Sequence, residues 1–397
     1  MKKRFLWQIL IAFILAIIVG LLFGENASIV EPLGDLFLRL IQFIIVPLIL
    51  ATIIVGVTSA GNIKKLGRLG GKMMTYYLLT SFLAISIGLL AGFLFSPGTG
   101  LDIVPEAGAE EPAETVGIID TLLNIVPTNP VEALSNADIL QIIFFAVFLG
   151  IGITLVGEKA NPVKRFFDGL SEIMYKITNI VMLLVPLGVF GLLAPIVGQY
   201  GLDVLMPLIK LIAVVYVGCI FHAVVTYSIA VKTLGKMNPL TFFKGILPAA
   251  TVAYSTASSS GTLPVTMKNT QENLGVSKQT SSFTLPLGAT INMDGTALYQ
   301  GVAVMFIAQY YGVELTFAQI IMVALVATLA SIGTAGVPGA GLIMLTMVLT
   351  AVNLPLAGIA LIASVDRILD MMRTAVNITG DASAAVVIEA SEQKHMT

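Results

Sequence analysis

Five polar residues near the C-terminus, Asp366, Asp370, Arg373, Asn377 and Asp381, follow one another at spacings of 4, 3, 4 and 4. At about 100° per helical residue they fall within an arc of roughly 80°, a single face. Their neighbours Ile368, Leu369, Met371, Met372, Ala375, Val376 and Ile378 are apolar, so the pattern predicts a buried polar stripe on a helix otherwise suited to lipid. A charge at the middle of a bilayer costs at least about 2.5–3.5 kcal/mol on insertion scales, so charges kept there pair with one another or serve a function. Neutralisation of Asp370 by Arg373 as an i, i+3 pair accounts for two of the five. A guanidinium also matches a carboxylate bidentately, and a carboxylate suits an ammonium. Arg373 and Asp370, one turn apart, are therefore placed to hold the two ends of a small zwitterion that bears an additional acid group. Asn377 adds an amide contact, and Asp381, deeper toward the cytoplasmic end, is suited to a cation. With one cysteine (Cys219) and two histidines (His222 and His395) in the chain, oxygen ligands favour Na⁺ or H⁺ over a transition metal.

The rest of the chain must carry this stripe into a membrane. Of 397 residues, 57% are hydrophobic and only 11% charged, against about 25% charged in an ordinary soluble domain. Together with a formal net charge of -2, that excludes a cytosolic enzyme and a nucleic-acid binder. The apolar runs are long and continuous rather than short and alternating, which excludes a β-barrel. The expected fold class is an all-α polytopic membrane protein. Spans are predicted near 5–23, 33–57, 73–95, 139–156, 173–197 and 205–231, the first retained rather than cleaved as a leader. Lys64, Lys65, Arg68 and Lys72 follow the second span, Lys159, Lys164 and Arg165 the fourth, and Lys232, Lys236 and Lys244 the sixth. Between Met73 and Glu158 there is no Lys or Arg, and the loop after the third span carries Asp102, Glu106, Glu110, Glu111 and Glu114. The positive-inside bias then puts the N-terminus in the cytoplasm. The acidic loop, 96–136, reads as solvated and mobile.

From Phe242 onward the apolar runs are interrupted by small and polar residues. Ser258-Ser259-Ser260-Gly261-Thr262-Leu263-Pro264 breaks one, and Ser331 to Gly339 breaks another. Backbone freed at membrane depth is tolerated only inside protein or beside a water-filled cavity, so both read as re-entrant helical hairpins whose tips meet near the midplane. Each precedes a segment with polar residues around an Asn: Asn292-Met293-Asp294-Gly295-Thr296 after the first, Asn377-Ile378-Thr379-Gly380-Asp381 after the second. A duplicated unit of hairpin plus broken helix marks an inverted repeat with its binding site between the halves. Asp294 must find partners there; Thr290 and Met293 lie close to it in sequence, and Tyr77, Thr80 and Ser81 cluster on the third span.

The strings Ser258 to Pro264, Leu285 to Ala297, Ser331 to Gly341 and Asp370 to Asp381 resemble the glutamate transporter family, the dicarboxylate/amino acid:cation symporters. The likeness covers essentially the whole chain and is most specific after Thr256. It implies a homotrimer in the lipid bilayer of the cell (inner) membrane, multi-pass with both termini cytoplasmic, and no cofactor beyond Na⁺ as coupling ion. Each protomer would have eight transmembrane helices and two re-entrant hairpins and would work by an elevator motion. The division implied is 1–70 for scaffold helices 1 and 2, 71–97 for transport-domain helix 3, 98–136 for the extracellular loop, 137–200 for scaffold helices 4 and 5, and 201–397 for the rest of the transport domain.

By the same resemblance, the substrate, an acidic amino acid, would be held by Ser259, Thr296, Ala335, Val337, Gly341, Asp370, Arg373, Thr374 and Asn377. Asp370 would take the amino group and Arg373 the side-chain carboxylate. One sodium site would use carbonyls of Gly288, Asn292 and Asn377 with the Asp381 side chain. A second would use the backbone of Thr290, Ser331, Ile332 and Thr334 with the Met293 sulfur, and a third Tyr77, Thr80, Ser81, Asn292 and Asp294. Neutral-amino-acid relatives lack an Arg at position 373 and the dicarboxylate branch lacks an acid at 370; this chain has both. Relatives carry a second arginine where Ala257 or Met371 stands here, and the nearby Arg367 is expected to pair with its neighbour Asp366.

Other classes fit less well. An intramembrane aspartyl protease needs two facing acids, one with a raised pKa, whereas Arg373 would keep Asp370 ionised. A pure ion channel would need a symmetric filter sequence, which is missing. Within the transport reading the alternative is coupling to H⁺, through Asp294 or Asp381, or a C4-dicarboxylate as substrate.

Overall fold

A computed structural model describes residues 2–59, 63–99, 123, 126–331 and 339–396. Among the described residues every regular element is helical. In chain order these are α1 (Lys2–Phe23), α2 (Glu31–Ser59), α3 (Ile63–Phe95), α4 (Pro130–Asn136), α5 (Ile139–Val156), α6 (Asn161–Met182), α7 (Val185–Tyr200), α8 (Leu205–His222), α9 (Ser228–Thr233), α10 (Pro239–Thr256), α11 (Ser259–Glu272), α12 (Lys278–Ile291), α13 (Asp294–Tyr310), α14 (Phe317–Ser331), α15 (Ala340–Ala351) and α16 (Ile359–Met396). Four stretches, Ile11–Phe37, Gly70–Phe95, Gln141–Met174 and Leu205–Thr233, are long and apolar enough to cross a membrane.

The helices pack in two groups. In the first, α1 lies along α7, while α2 packs against α5, α6 and α7. In the second, α13 runs beside α3 and touches α16, α8 and α15, while α10 and α12 pack on α16. The α3–α13 seam is close because glycines line it. A Cβ at Gly88 would lie 2.1 Å from the Leu298 carbonyl oxygen, and one at Gly301 would lie 2.7 Å from the Leu89 nitrogen. At this distance the two backbones touch, the close packing that small residues allow between membrane helices. α13 is consequently almost entirely buried, Asp294 to Tyr310 included.

Several predicted elements are altered. The fifth span, 173–197, is divided into α6 and α7 by a turn at Leu183 and Leu184. Pro186 has no N–H to offer the Met182 carbonyl, so the α-helical ladder is interrupted there. The sixth span contains a widened π turn, Ala223–Tyr227. The acidic loop ends in a short helix, α4, capped by the Asn129 side chain, which accepts from the amides of Val131 and Glu132. Asp102, Glu106, Glu110, Glu111 and Glu114 lie outside the described residues.

At the first predicted hairpin the chain forms a pair of packed helices, α10 and α11. α10 stops at Thr256 because Ala257 takes a left-handed φ of 48°. Ser258 then turns extended and its side chain accepts from the Gly261 amide, capping α11. α14 and α15 are the arms of the second hairpin, and its tip, 332–338, lies outside the described residues. The helix after the first hairpin is broken at Asn292 and Met293, which leave α-helical geometry between α12 and α13. The second unit differs from expectation: α16 runs without interruption for 38 residues through Asn377 and Asp381. Gly380 does not break it, since a lone glycine costs a helix only about 1 kcal/mol, and here the missing side chain makes room. A Cβ at Gly380 would lie 2.6 Å from Asn292 Nδ2 and from the Tyr227 hydroxyl.

Candidate functional site

The polar stripe of α16 faces the interior, as its spacing predicts. Asp366, Asp370, Arg373, Thr374, Asn377 and Asp381 are all buried, Arg373 completely. Arg373 Nη2 lies 2.9 Å from Asp370 Oδ1 and 3.0 Å from Asp366 Oδ1. Asp366 therefore pairs with Arg373, not with Arg367 as its sequence position suggested. Positions i and i+1 point about 100° apart on a helix, whereas i and i+7 come back to one face. Arg367 instead directs Nη2 at the carbonyls of Ser255 and Thr256, at 3.5 and 3.4 Å.

The Arg373 guanidinium is gripped from other directions too. It stacks over the Tyr299 ring, 4.1 Å from the centroid. Opposing it is Gly341, where a Cβ would sit 2.5 Å from Nη1. Gln300 Nε2 donates to the Gly341 carbonyl at 2.9 Å, and the Gly339 amide donates to Asp370 Oδ2 at 3.1 Å. The start of α15 is thus tied to both α13 and α16. Even so, Nε and Nη1 of Arg373 donate to nothing among the described residues. A fully buried guanidinium with unused N–H groups is a receptor for an anion, carboxylate above all.

One turn along α16, Asn377 joins the helix to the break. Its Oδ1 accepts from the Gly295 amide at 2.8 Å, and its Nδ2 donates to Thr296 Oγ1 at 3.2 Å and to Met293 Sδ at 3.3 Å. Asn292 Nδ2 donates to the Asn377 carbonyl at 3.2 Å and to Asp381 Oδ1 at 2.9 Å. Gly288 is packed against the same carboxylate, 2.6 Å from its Oδ1 at the Cβ position. Gly288, Asn292, Asn377 and Asp381 are therefore gathered around the break.

Asp294 anchors a third cluster. Its Oδ1 accepts from Ser81 Oγ at 2.7 Å and Thr80 Oγ1 at 3.2 Å. Its Oδ2 accepts from the Tyr227 hydroxyl at 2.9 Å and lies 3.4 Å from His222 Nε2. Asp294 has partners, as expected, and two of them, Thr80 and Ser81, come from the third span. Tyr77 sits apart, donating to the Thr284 carbonyl at 3.2 Å while packing against Gly288.

Other predicted residues are less connected. Ser259 is buried at the start of α11, and among the described residues no hydrogen bond joins it to α16. Thr374 donates to the Asp370 carbonyl. Thr290 and Ser331 donate to Leu287 and Thr328 carbonyls within their own helices. Ile332, Thr334, Ala335 and Val337 lie outside the described residues.

The sequence reading gave no site role to His222, Tyr227, Tyr299 or Gln300. Tyr299 and Gln300 sit in an apolar run with no distinguishing spacing. His222 and Tyr227 are five apart, about 140° around an α-helix; the extra residue of the π turn brings them onto one side. His222 with an acid on another helix was invisible without that turn.

The comparisons with known proteins identify the family of the whole chain. The model of the sodium:dicarboxylate symporter family matches residues 5–391. The chain is 42% identical over 400 residues to the proton/sodium-glutamate symport protein of Geobacillus stearothermophilus, covering 98% of this chain and 94% of the relative. It is 37% identical to the proton/glutamate-aspartate symporter of Escherichia coli strain K12, over 99% of this chain and 94% of the relative. It is 36% identical to a C4-dicarboxylate transport protein of Bacillus subtilis strain 168, again over 99% and 94%. A family match over nearly the whole length, on a chain of apolar helices around a buried charged site, identifies it: the protein is an integral membrane protein of the sodium:dicarboxylate symporter family.

Proposed function

We propose that the protein is a secondary active symporter that moves acidic amino acids, aspartate or glutamate, across the cell membrane, driven by a Na⁺ gradient. The observation that carries this reading is the fully buried Arg373, with N–H groups unused among the described residues and a carboxylate one turn away. Arg373 receives the side-chain carboxylate of the substrate, Asp370 its ammonium, and Asn377 and Thr296 its remaining polar groups. Gly341 lets the backbone of the second hairpin approach the guanidinium, so that hairpin covers the bound molecule. The Ser259 hydroxyl contributes from the first hairpin, and Thr374, Ala335 and Val337 complete the pocket.

Coupling follows from charge. Among the described residues Asp294, Asp366, Asp370 and Asp381 are buried against a single buried arginine, an excess of acid that a low-dielectric interior does not hold without cations. Na⁺ is carried by the oxygens around Asp381 and around Asp294, and by a set at Thr290, Met293, Ser331, Ile332 and Thr334. Since cation and substrate neutralise neighbouring parts of one site, each favours the other. The contact groups support a division of labour: α1, α2 and α5–α7 form a scaffold that holds a homotrimer, while α3, α8 and the hairpin-bearing C-terminal half form the moving transport domain of an elevator. Both termini are cytoplasmic, and the protein catalyses no covalent chemistry.

A second reading, coupling to H⁺, is favoured by His222 standing 3.4 Å from Asp294 and by relatives described as proton symporters. Purified protein in liposomes separates the two. An inward Na⁺ gradient at equal pH should drive accumulation of radiolabelled aspartate, and succinate should compete weakly. Accumulation driven only by a pH gradient would select the second reading, and no accumulation of any acidic amino acid or C4-dicarboxylate would overturn both.

A further inference from the structure

We propose that Arg367 is a positioning residue for substrate binding, part of a polar latch that holds the tip of the first hairpin against α16. The proposal rests on the reading of the site given above. α10 ends where Ala257 turns left-handed, so the carbonyls of Ser255 and Thr256 point along the helix axis, and their i+4 amides belong to the next helix. Such a terminus carries partial negative charge and attracts a cation. The cation comes from another helix: Arg367 Nη2 reaches both carbonyls, at 3.5 and 3.4 Å.

The following residue of α16 grips the same hairpin from a second side. The Tyr216 hydroxyl of α8 donates to the Ile368 carbonyl at 2.9 Å and lies 3.1 Å from the Tyr254 hydroxyl of α10. Three helices therefore meet at one seam through Arg367, Tyr216 and Tyr254. Within the tip, Thr256 Oγ1 and Thr262 Oγ1 are 3.1 Å apart, so the two arms are closed on each other and move as a unit. Arg367 adjoins Asp366 and lies one turn before Asp370, the two acids that orient Arg373. The latch thus sets the register between Ser258–Ser260 on the hairpin and the charged groups of α16. No salt bridge competes with these contacts for Arg367 among the described residues.

The test uses the full-length protein with Cys219→Ala and Ala257→Cys, Ala257 being the buried tip residue. Maleimide labelling of position 257 and uptake kinetics are compared in the Arg367→Ala, Arg367→Lys and Tyr216→Phe backgrounds. The latch predicts that Arg367→Ala raises both the labelling rate and KM for aspartate by about tenfold, with maximal rate within about twofold. Arg367→Lys should restore part of each effect, because a lysine can still meet a helix C-terminus. Tyr216→Phe removes only a hydroxyl, and should move labelling and KM in the same direction should Arg367→Ala not fold. Labelling and KM unchanged in these variants, or a loss confined to maximal rate, would overturn the proposal. Failure of the transport reading would show already in the parent protein as absent uptake, whereas the labelling comparison would still report on the latch.

Discussion

At the scale of residues, the site depends on one cation serving two acids. Arg373 binds Asp366 and Asp370 together, so Arg373→Ala leaves two buried carboxylates facing each other. Breaking a buried pair this way typically costs about 3–5 kcal/mol. We expect kcat/KM for aspartate to fall by more than about 100-fold, measured as uptake into liposomes with protein that remains monodisperse. Asp370→Asn is milder, since Arg373 keeps Asp366. It should weaken aspartate far more than succinate, which has no amine to lose; competition of each against radiolabelled substrate reads the ratio. Gly341 belongs to the same set. Its Cβ position lies 2.5–2.7 Å from the Arg373 guanidinium atoms, and Arg373 cannot swing aside without leaving both acids. Gly341→Ala should therefore raise KM while Gly88→Ala, on the α3–α13 seam, should lower thermal stability by about 1–3 kcal/mol through overpacking.

At the scale of elements, the positions that do most are those where regular helix fails. The break at Asn292 and Met293 frees backbone beside Asp381 and Asn377, and the π turn at Ala223–Tyr227 turns Tyr227 to the same acid as His222. Tyr227→Phe would remove the hydroxyl that this turn brings to Asp294 Oδ2. We expect Tyr227→Phe to lower uptake into liposomes by about tenfold, while Val224→Ala, at an exposed position, leaves it within about twofold. These elements also mark how far the sequence could be read. The polar stripe was legible because a 4, 3, 4, 4 spacing on apolar ground has one helical solution. The first hairpin was legible because small polar residues interrupt an apolar run there, although the turn itself falls at Ala257 and Ser258 and Ser259 to Pro264 stay helical. The π turn was not, since Ala-Val-Val-Thr-Tyr carries no signal of a widened ladder. Nor was the unbroken course of α16: Asn-Ile-Thr-Gly-Asp looks like the Asn-Met-Asp-Gly-Thr that does break, and both glycines are tightly packed, so nothing in the spelling separates them. Arg367 was misassigned because adjacency in sequence suggested a pair that helix geometry forbids.

At the scale of the whole molecule, two packed groups of helices hold the chain: one around α2 and α7, the other around α13 and α16. One end of the second group is fastened by Lys72 to Glu392 at 2.9 Å and by Ser277 to Glu389 at 2.7 Å. That group should move as a body, and native mass measurement in mild detergent should find three copies of the 41.9 kDa chain. The central claim, however, is energetic: substrate and cations stabilise one another by neutralising an acid-rich interior. Calorimetric titration of aspartate into purified protein over a range of Na⁺ concentrations, repeated at two pH values, tests it most directly. Linkage predicts that aspartate affinity rises steeply with Na⁺, the log–log slope counting the ions bound, or with proton concentration if H⁺ is the partner. An affinity that stays flat against both cations would contradict the account.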